Sequence, residues 1–179
     1  MALEIEKKYP ITPDLRGTLI DGLKEIGAVF EGRTVEENTI YRGGVLDETG
    51  GVVRLRRTAE KATLTFKMRI ERDSDAKTQI EHESEISDPD AVAEILAQLG
   101  LEARIVYEKR RETWKLRDAE IVLDELPFGL FMEIEGSITA IKEAEILLGI
   151  EDLPAEARTY PSLTTELGTN VDGVIEARF

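Results

Sequence analysis

The stretch LEIEKKY, residues 3–9, alternates apolar and charged side chains along its length. One face carries Glu4, Glu6 and Lys8, and the other carries Leu3, Ile5 and Tyr9. Alternation with a period of two predicts a β-strand with one buried face. The charged face is the unusual one, because its residue types return in other predicted strands.

The same alternation recurs along most of the chain, and each charged face is largely of one sign. Basic pairs come from Arg54 with Arg56 and from Lys109 with Arg111, and Lys67 lies in LTFK. Acidic faces come from the stretches 79–86 and 130–135, which contain Glu81, Glu83, Glu85, Glu133 and Glu135. Acids and bases are therefore sorted onto different strands.

Two interpretations of these faces remain open. The first is a sheet whose charged side is simply solvated, which is the commonest fate of charged residues. The second is a sheet of about eight strands that closes on itself, with apolar faces outward under helices and charged faces lining a tunnel. The sorting of charges by sign favours the tunnel, because a face that is simply exposed to solvent does not require its acids and bases to be separated.

The helices interrupt the strands in a way that indicates the fold class. One helix is predicted to begin at Thr12 and Pro13 and to end at Gly27, and a second begins near 87–89 and ends at Gly100. Weaker helices are predicted over 139–148 and 162–167. The order predicts a single α+β domain over 1–179, built on a closed or nearly closed antiparallel β-barrel with helices packed outside.

Composition excludes several classes of function. The 179 residues contain 23 Lys and Arg against 37 Asp and Glu, a net charge of −14, which disfavours binding to nucleic acid. There is no cysteine and His82 is the single histidine, so thiol nucleophiles and multi-histidine zinc sites are not expected. No apolar run is long enough to span a membrane, and we expect a cytoplasmic protein.

A tunnel with basic and acidic strands suits a polyphosphate and its metal. Arginine forks and lysine ammonium groups bind phosphate oxygens, and carboxylates bind Mg²⁺ or Mn²⁺. Metal-assisted phosphoryl chemistry needs no side-chain nucleophile, in keeping with the absence of cysteine.

The ordered set of charged motifs resembles the CYTH superfamily, also called triphosphate tunnel metalloenzymes. That superfamily includes class IV adenylyl cyclases, thiamine triphosphatases and inorganic tripolyphosphatases. The resemblance covers residues 1–165 and is carried by the motifs E-x-E-x-K at 4–8, RLR at 54–56, LTFK at 64–67, ExE at 81–83, KRR at 109–111, Asp124 and GLFMEIE at 129–135.

The resemblance implies roles for individual residues. The divalent metal, Mg²⁺ or Mn²⁺, is expected on the carboxylates Glu4, Glu6, Glu83, Asp124, Glu133 and Glu135. The triphosphate clamp is expected from Lys8, Arg54, Arg56, Lys67, Lys109 and Arg111, with Arg158 covering a mouth of the tunnel. Catalysis is expected to depend on Glu4, Glu6, Lys8 and Asp124.

The chain also departs from the family pattern. Where relatives often have an acid, two aromatic residues and a second acid, this chain has NTIYR at 38–42, which puts an acidic contribution from this strand in doubt and adds Arg42 as a further base. The segment 158–163 matches the closing segment of the family only loosely. The tail 170–179 matches nothing and is expected to be frayed.

We expect metal-dependent hydrolysis of a triphosphate. A class IV adenylyl cyclase, which makes cyclic AMP from ATP, is the first alternative, although no clear aromatic slot for adenine is visible. The second alternative is a non-catalytic module that binds polyphosphate or nucleotide. The expected partner is a small-molecule triphosphate, with no nucleic acid and no membrane, and a homodimer is our expectation for the oligomeric state.

Overall fold

The computed structural model of the protein describes residues 2–69 and 77–179, in which strands predominate. The strands are β1 (Ala2–Ile11), β2 (Val29–Arg42), β3 (Val52–Arg57), β4 (Ala62–Arg69), β5 (Lys77–Ile86), β6 (Glu102–Leu116), β7 (Ala119–Leu126), β8 (Gly129–Glu135), β9 (Thr169–Val171) and β10 (Val174–Ala177). The helices are α1 (Pro13–Glu25), α2 (Val45–Thr49), α3 (Pro89–Gln98), α4 (Ile138–Leu148) and α5 (Tyr160–Leu167). The prediction of an α+β fold is confirmed.

Helix starts follow from local capping. The Thr12 hydroxyl accepts a hydrogen bond from the Leu15 amide at 3.2 Å, and Pro13 occupies the first turn of α1. The Asp88 carboxylate does the same for the Ala91 amide, at 3.0 Å, at the start of α3. Helix α2 was not predicted, because its five residues are too few to show a periodic apolar face.

Eight strands pair in the order β2-β3-β4-β5-β1-β8-β7-β6, and all neighbours in this order are antiparallel. Strand β6 also pairs with β2 along most of its length. Each of the eight strands is therefore hydrogen-bonded to two others. Strand β1 divides its pairing, because its first half runs beside β5 and its second half beside β8, with Glu6 at the junction.

The C-terminal residues extend this sheet. Strand β10 runs parallel to β6, with Ile175 opposite Ile105, and β9 pairs with β10. Arg178 forms an ion pair with Glu37 at 2.6 Å, and the backbone amide of Phe179 donates to Glu108 at 2.8 Å. The tail that was expected to be frayed is therefore paired with β6 over part of its length and bonded near its end.

The apolar parity of the strands faces the helices, as the alternation predicts. The largest core cluster packs the sheet against α1 and α4 and includes Tyr9, Leu23, Trp114, Ile121 and Met132. A smaller cluster packs the sheet against Leu96 of α3. In the described part of the chain, no helix has the length and apolarity needed to cross a membrane.

One further cluster lies on the charged side of the sheet, at one end. Side chains of the sheet meet Tyr160 and Leu163 of α5 there. We call this cluster the apolar floor, and its buried members are Ile40, Tyr107, Leu126, Phe131, Tyr160, Leu163 and Ala177. The floor fills this end of the charged side with hydrocarbon.

Candidate functional site: a charged cavity above the apolar floor

A cavity of about 310 Å³ lies on the charged side of the sheet, next to the apolar floor. Six basic side chains line it: Lys8, Arg54, Arg56, Lys67, Lys109 and Arg111. Six carboxylates also line it: Glu6, Glu81, Glu83, Glu120, Glu133 and Glu135. The described lining is completed by Ile40, Val52, Tyr107, Val122, Thr159, Tyr160 and Pro161.

Two arginines of β3 form one wall. The Nε of Arg56 donates to Asn38 Oδ1 at 3.2 Å, and its Nη1 and Nη2 donate no hydrogen bond to a described residue. The Nη2 of Arg54 donates to Thr65 Oγ1 at 3.2 Å, whereas its Nε is buried and has no hydrogen-bond partner in the part of the chain described. An unsatisfied buried donor on a cation is costly, and here it belongs to a cavity-lining arginine.

A second wall, separated from β3 only by β2, is built on β6 around a buried carboxylate. Arg111 holds Asp124 with two hydrogen bonds, Nε to Oδ1 at 2.8 Å and Nη2 to Oδ2 at 2.6 Å. The Tyr160 hydroxyl donates to the same Oδ2 at 2.9 Å, and Lys109 Nζ lies 3.4 Å from it. Asp124 is fully buried and does not line the cavity. Its oxygens are occupied in fixing the two cations that do.

These contacts shift several pKa values. Burial and the Arg111 charge lower the pKa of Lys109, because both make the protonated ammonium group less favourable than it is in water. Burial also opposes the charge of Arg111, but the Asp124 carboxylate outweighs it and raises the pKa of Arg111. Burial and the Asp124 charge raise the pKa of Tyr160, which keeps its hydroxyl protonated as a donor.

Lys8 enters the cavity from β1 and is buried. Its Nζ lies 3.7 Å from the centre of the Tyr160 ring and 3.6 Å from Glu133 Oε1. A cation over an aromatic face is stabilised by the ring quadrupole. Tyr160 therefore supports Lys8 with its ring and Asp124 with its hydroxyl.

The remaining base, Lys67, comes from β4. Its Nζ forms an ion pair with Glu81 Oε2 at 2.6 Å, and Glu81 also lies 3.7 Å from Arg54. Glu83 accepts a hydrogen bond from Thr65 at 2.8 Å and lies 3.5 Å from Arg54. The acids of β5 thus pair with Arg54 of β3 and Lys67 of β4.

Three carboxylates form a row across three neighbouring strands. Glu6 of β1 is opposite Glu135 of β8, and Glu135 is opposite Glu120 of β7. Side chains at directly opposite positions are neighbours on one face, with Cβ atoms about 5 Å apart. All three line the cavity, and their hard oxygen donors are of the kind that Mg²⁺ and Mn²⁺ prefer.

The donor set fits a metal that shares its ligands with a substrate. Among the described residues, no three acidic or histidine side chains are gathered around one point. Mg²⁺ is usually held by one or two carboxylates together with substrate phosphates and waters, so a complete protein cage is not required.

Most of the predicted site residues come together in the cavity, whereas Arg158, Asp124 and Arg42 do not line it. Arg158 is exposed and forms ion pairs with Glu156 and Glu166 outside the lining. Asp124 lies behind the wall, as described above. The side chain of Glu4 lies outside the described residues. Arg42, the expected extra base, instead bonds Asp47 and the Gly51 carbonyl, away from the cavity.

Sequence analysis missed two carboxylates. Glu120 is a single acid at the start of a short apolar strand, and only the hairpin register places it beside Glu135. Glu36 is buried behind Arg56 and Lys109 and is an acidic contribution from β2, which the motif at 38–42 had put in doubt. The sequence did indicate the position of Glu36, because Glu36 is two residues before Asn38 and side chains two residues apart on a strand lie on the same face.

Comparison with known proteins identifies the family. The model of the CYTH domain matches residues 2–160. A curated protein of Methanocaldococcus jannaschii, named "Putative adenylate cyclase MJ0240", is 31% identical over 150 residues, which are 82% of this chain and 83% of that protein.

Solved structures share the fold. The PH1012 protein of Pyrococcus horikoshii superposes with a TM-score of 0.78 at 23% identity, covering 89% of this chain and 98% of that one. A Hippeastrum protein, HpAC1, described as a "putative adenylyl cyclase" with a dominant triphosphatase activity, superposes with a TM-score of 0.64 at 19% identity, covering 91% of this chain and 93% of that one. The family match covers the strands that build the cavity, and the chain belongs to the CYTH family.

Proposed function

We propose that the protein hydrolyses a triphosphate, inorganic or organic, bound in this cavity with a divalent metal ion. The observation that carries the proposal is the convergence of six cations on one cavity, with the Nε of Arg54 and both Nη of Arg56 left without hydrogen bonds to described residues. Several phosphate groups would satisfy these donors with charge-assisted hydrogen bonds.

The basic residues bind and orient the chain of phosphates. We assign the phosphate contacts to Lys8, Arg54, Arg56, Lys67, Lys109 and Arg111, which lie on four strands and therefore surround the ligand. The ring of strand pairings supports a barrel whose interior is the tunnel. Such an enclosure excludes bulk water and strengthens each charge–charge contact.

The carboxylate row is the proposed metal site. One or two carboxylates of the row Glu6, Glu120 and Glu135 would hold Mg²⁺ or Mn²⁺ together with phosphate oxygens and water. Glu133 lies nearby and is shared with Arg111 and Lys8. When bound, the metal would polarise phosphate oxygens and offset their charge. The hydrolysis adds water to a terminal phosphorus as the bridging P–O bond breaks.

A cyclase remains the second candidate. The curated relative is named an adenylate cyclase, and Ile40, Val52 and Tyr107 give the cavity an apolar side. The ring centres of Tyr107 and Tyr160 are 6.3 Å apart, and the two residues are only 3% and 6% exposed. Little aromatic surface is therefore left to bind adenine, which favours hydrolysis. The Hippeastrum protein, named a cyclase, is likewise titled for a dominant triphosphatase activity.

Product analysis tests the proposal. The protein is incubated with tripolyphosphate, ATP and thiamine triphosphate, each with Mg²⁺ and with Mn²⁺, and orthophosphate, pyrophosphate and cyclic AMP are measured. We expect orthophosphate from at least one substrate, and at least a hundredfold slower release by Glu6→Gln and Arg56→Ala. Arg57→Ala is the matched control, since Arg57 is the next residue of β3 and pairs with Asp90 outside the cavity.

The outcomes separate the candidates. Cyclic AMP with pyrophosphate as the main products of ATP would establish the cyclase instead. Stabilisation by tripolyphosphate without any product would identify a binding module. Full turnover by both Glu6→Gln and Arg56→Ala would remove this cavity as the site.

A further inference from the structure

Glu36 is a buried acid that does not touch the cavity. Its side chain is 3% exposed, and its Oε2 lies 3.3 Å from Arg56 Nε and 3.3 Å from Lys109 Nζ. Asn38 Nδ2 also donates to this oxygen, at 3.3 Å. One carboxylate oxygen thus joins a base of β3 to a base of β6.

This contact sets the orientation of Arg56. The guanidinium uses its Nε toward Asn38 and Glu36 on β2, and its two Nη groups donate to no described residue. Those two groups form the edge of the fork that binds a phosphate in a bidentate manner. Glu36 and Asn38 therefore hold the inner edge of Arg56 and leave its outer edge to the cavity.

The same contact offsets repulsion. Arg54, Arg56, Lys109 and Arg111 all act on Glu36 and lower its pKa, although its burial alone would raise it. Two further buried acids lie near these bases, and both contact Arg111: Asp124, which also accepts from Tyr160, and Glu133. A cation removed from water without a counterion is strongly unfavourable. Among the described residues, Arg56 forms an ion pair with Glu36 only, whereas Lys109 shares Glu36 and Asp124.

We infer that Glu36 is a positioning residue that orients Arg56 and Lys109 for phosphate binding. This inference rests on the proposed function, because it gives those two bases their ligand. Glu36 acts through the two bases and makes no contact with substrate. Its loss should therefore weaken binding more than it slows the chemical step.

The test compares Glu36→Gln with Glu112→Gln. Glu112 is equally buried, at 3% exposure, and binds Arg16 and Arg33 on the outer face of the sheet. Binding of tripolyphosphate without metal is measured by calorimetry, and KM and kcat are measured with Mn²⁺. We expect Glu36→Gln to raise Kd and KM about tenfold, the size of one misaligned charge-assisted hydrogen bond, and to change kcat less than about threefold. Glu112→Gln is expected to leave Kd and KM unchanged.

A second variant covers the case in which Glu36→Gln does not fold. Asn38→Ala removes the hydrogen-bond acceptor of Arg56 Nε and keeps the Glu36 charge, and we expect it to raise KM about threefold. Wild-type protein that binds no tripolyphosphate would overturn the proposed function itself. If wild type binds tripolyphosphate and Glu36→Gln leaves Kd and KM unchanged, the positioning role alone is overturned. If only Asn38→Ala folds, unchanged Kd and KM in that variant have the same consequence.

Discussion

Asp124 illustrates how a single carboxylate organises the cavity from behind. It accepts two hydrogen bonds from Arg111 and one from Tyr160, and it is fully buried. A buried charge in this position is tolerated because each oxygen is paired. Its position favours an organising role over the metal-ligand role that the family motif implied.

Asp124→Asn is expected to be strongly destabilising. The change leaves Arg111 buried without its main counterion, which costs about 3–5 kcal/mol in the free energy of unfolding. Asp90→Asn is the control, because Asp90 is exposed in its pair with Arg57 and should contribute about 1 kcal/mol or less. Urea denaturation measures both, and equal stabilities of the two variants would contradict the organising role.

Glu36 should make stability depend on pH. Its folded-state pKa lies well below the ordinary value of about 4.5, since Lys109 and Arg56 outweigh the effect of burial. The stabilisation is therefore fully present above the ordinary pKa and is lost as the pH falls toward the lowered one. We expect the stability difference between wild type and Glu36→Gln to be larger at pH 7 than at pH 3.

Urea denaturation at the two pH values gives this difference, and Glu37→Gln serves as the control. Glu37 is the next residue of β2 and lies at the surface beside Arg178. Its substitution should change the free energy of unfolding by less than about 1 kcal/mol at either pH. A difference for Glu36→Gln that is independent of pH would show that Glu36 is not held ionised by the bases.

At the scale of elements, α5 and β10 close the end of the charged side together. Gly168 ends α5 and lies between the two, and a Cβ built on it would meet Thr164 O at 2.6 Å and Glu176 O at 2.7 Å. Both contacts are with backbone carbonyl oxygens, which cannot move away by a change of side-chain rotamer. The closeness of helix and strand therefore depends on this residue having no side chain.

Gly168→Ala is expected to lower the free energy of unfolding by about 2 kcal/mol through overpacking. Gly17→Ala is the matched control in α1, where nothing lies within 4 Å of the added Cβ. It should raise the free energy of unfolding by about 1 kcal/mol through helix propensity. Chemical denaturation measures both, and an equal gain in stability at Gly168 would contradict the close packing of α5 on β10.

At the scale of the whole molecule, the charge is distributed unevenly. The chain carries a net −14, yet six bases and six acids of the described residues balance in the cavity. The acidic residues that give the chain its negative net charge therefore lie outside the cavity lining. A polyanion is attracted only where the bases converge, and the proposed metal on the acidic row would connect the acidic side of the cavity to the bound phosphates.

Metal and anion should stabilise the protein cooperatively. We expect the rise in Tm with tripolyphosphate and Mn²⁺ together to exceed the sum of the rises with each alone, because each ligand relieves the repulsion that the other meets. Glu6→Gln should lose this excess and keep the rise caused by tripolyphosphate alone. Strictly additive shifts in thermal unfolding of wild type would contradict a shared site.

The sequence predicts which face of a strand a side chain occupies better than it predicts which residues of other strands lie beside that side chain. Parity alone puts Arg54, Arg56, Lys109 and Arg111 on one side, because side chains alternate strictly along a strand. Which carboxylate faces which base depends on register between strands distant in sequence. Glu120 meets Glu135 only through their hairpin, and Asp124 lies behind the wall because Arg111 and Tyr160 reach it.

The shortest elements also escaped prediction, for a related reason. Helix α2 and strands β9 and β10 have three to five residues each, too few for a periodic pattern to stand out. Strand β10 gains its place from parallel pairing with β6 and from the ion pairs of Arg178. Such long-range contacts leave no local trace in the sequence.

The apolar floor has a consequence for the order of events in turnover. A route through Tyr107, Phe131 and Leu163 would require an anion to shed its hydration among hydrocarbon groups, which is prohibitively unfavourable. Orthophosphate and pyrophosphate would therefore depart by the same opening that admits fresh reactant. Under the proposed hydrolysis, the product would leave before the next substrate molecule binds. Accumulated pyrophosphate is therefore expected to inhibit turnover competitively with the substrate.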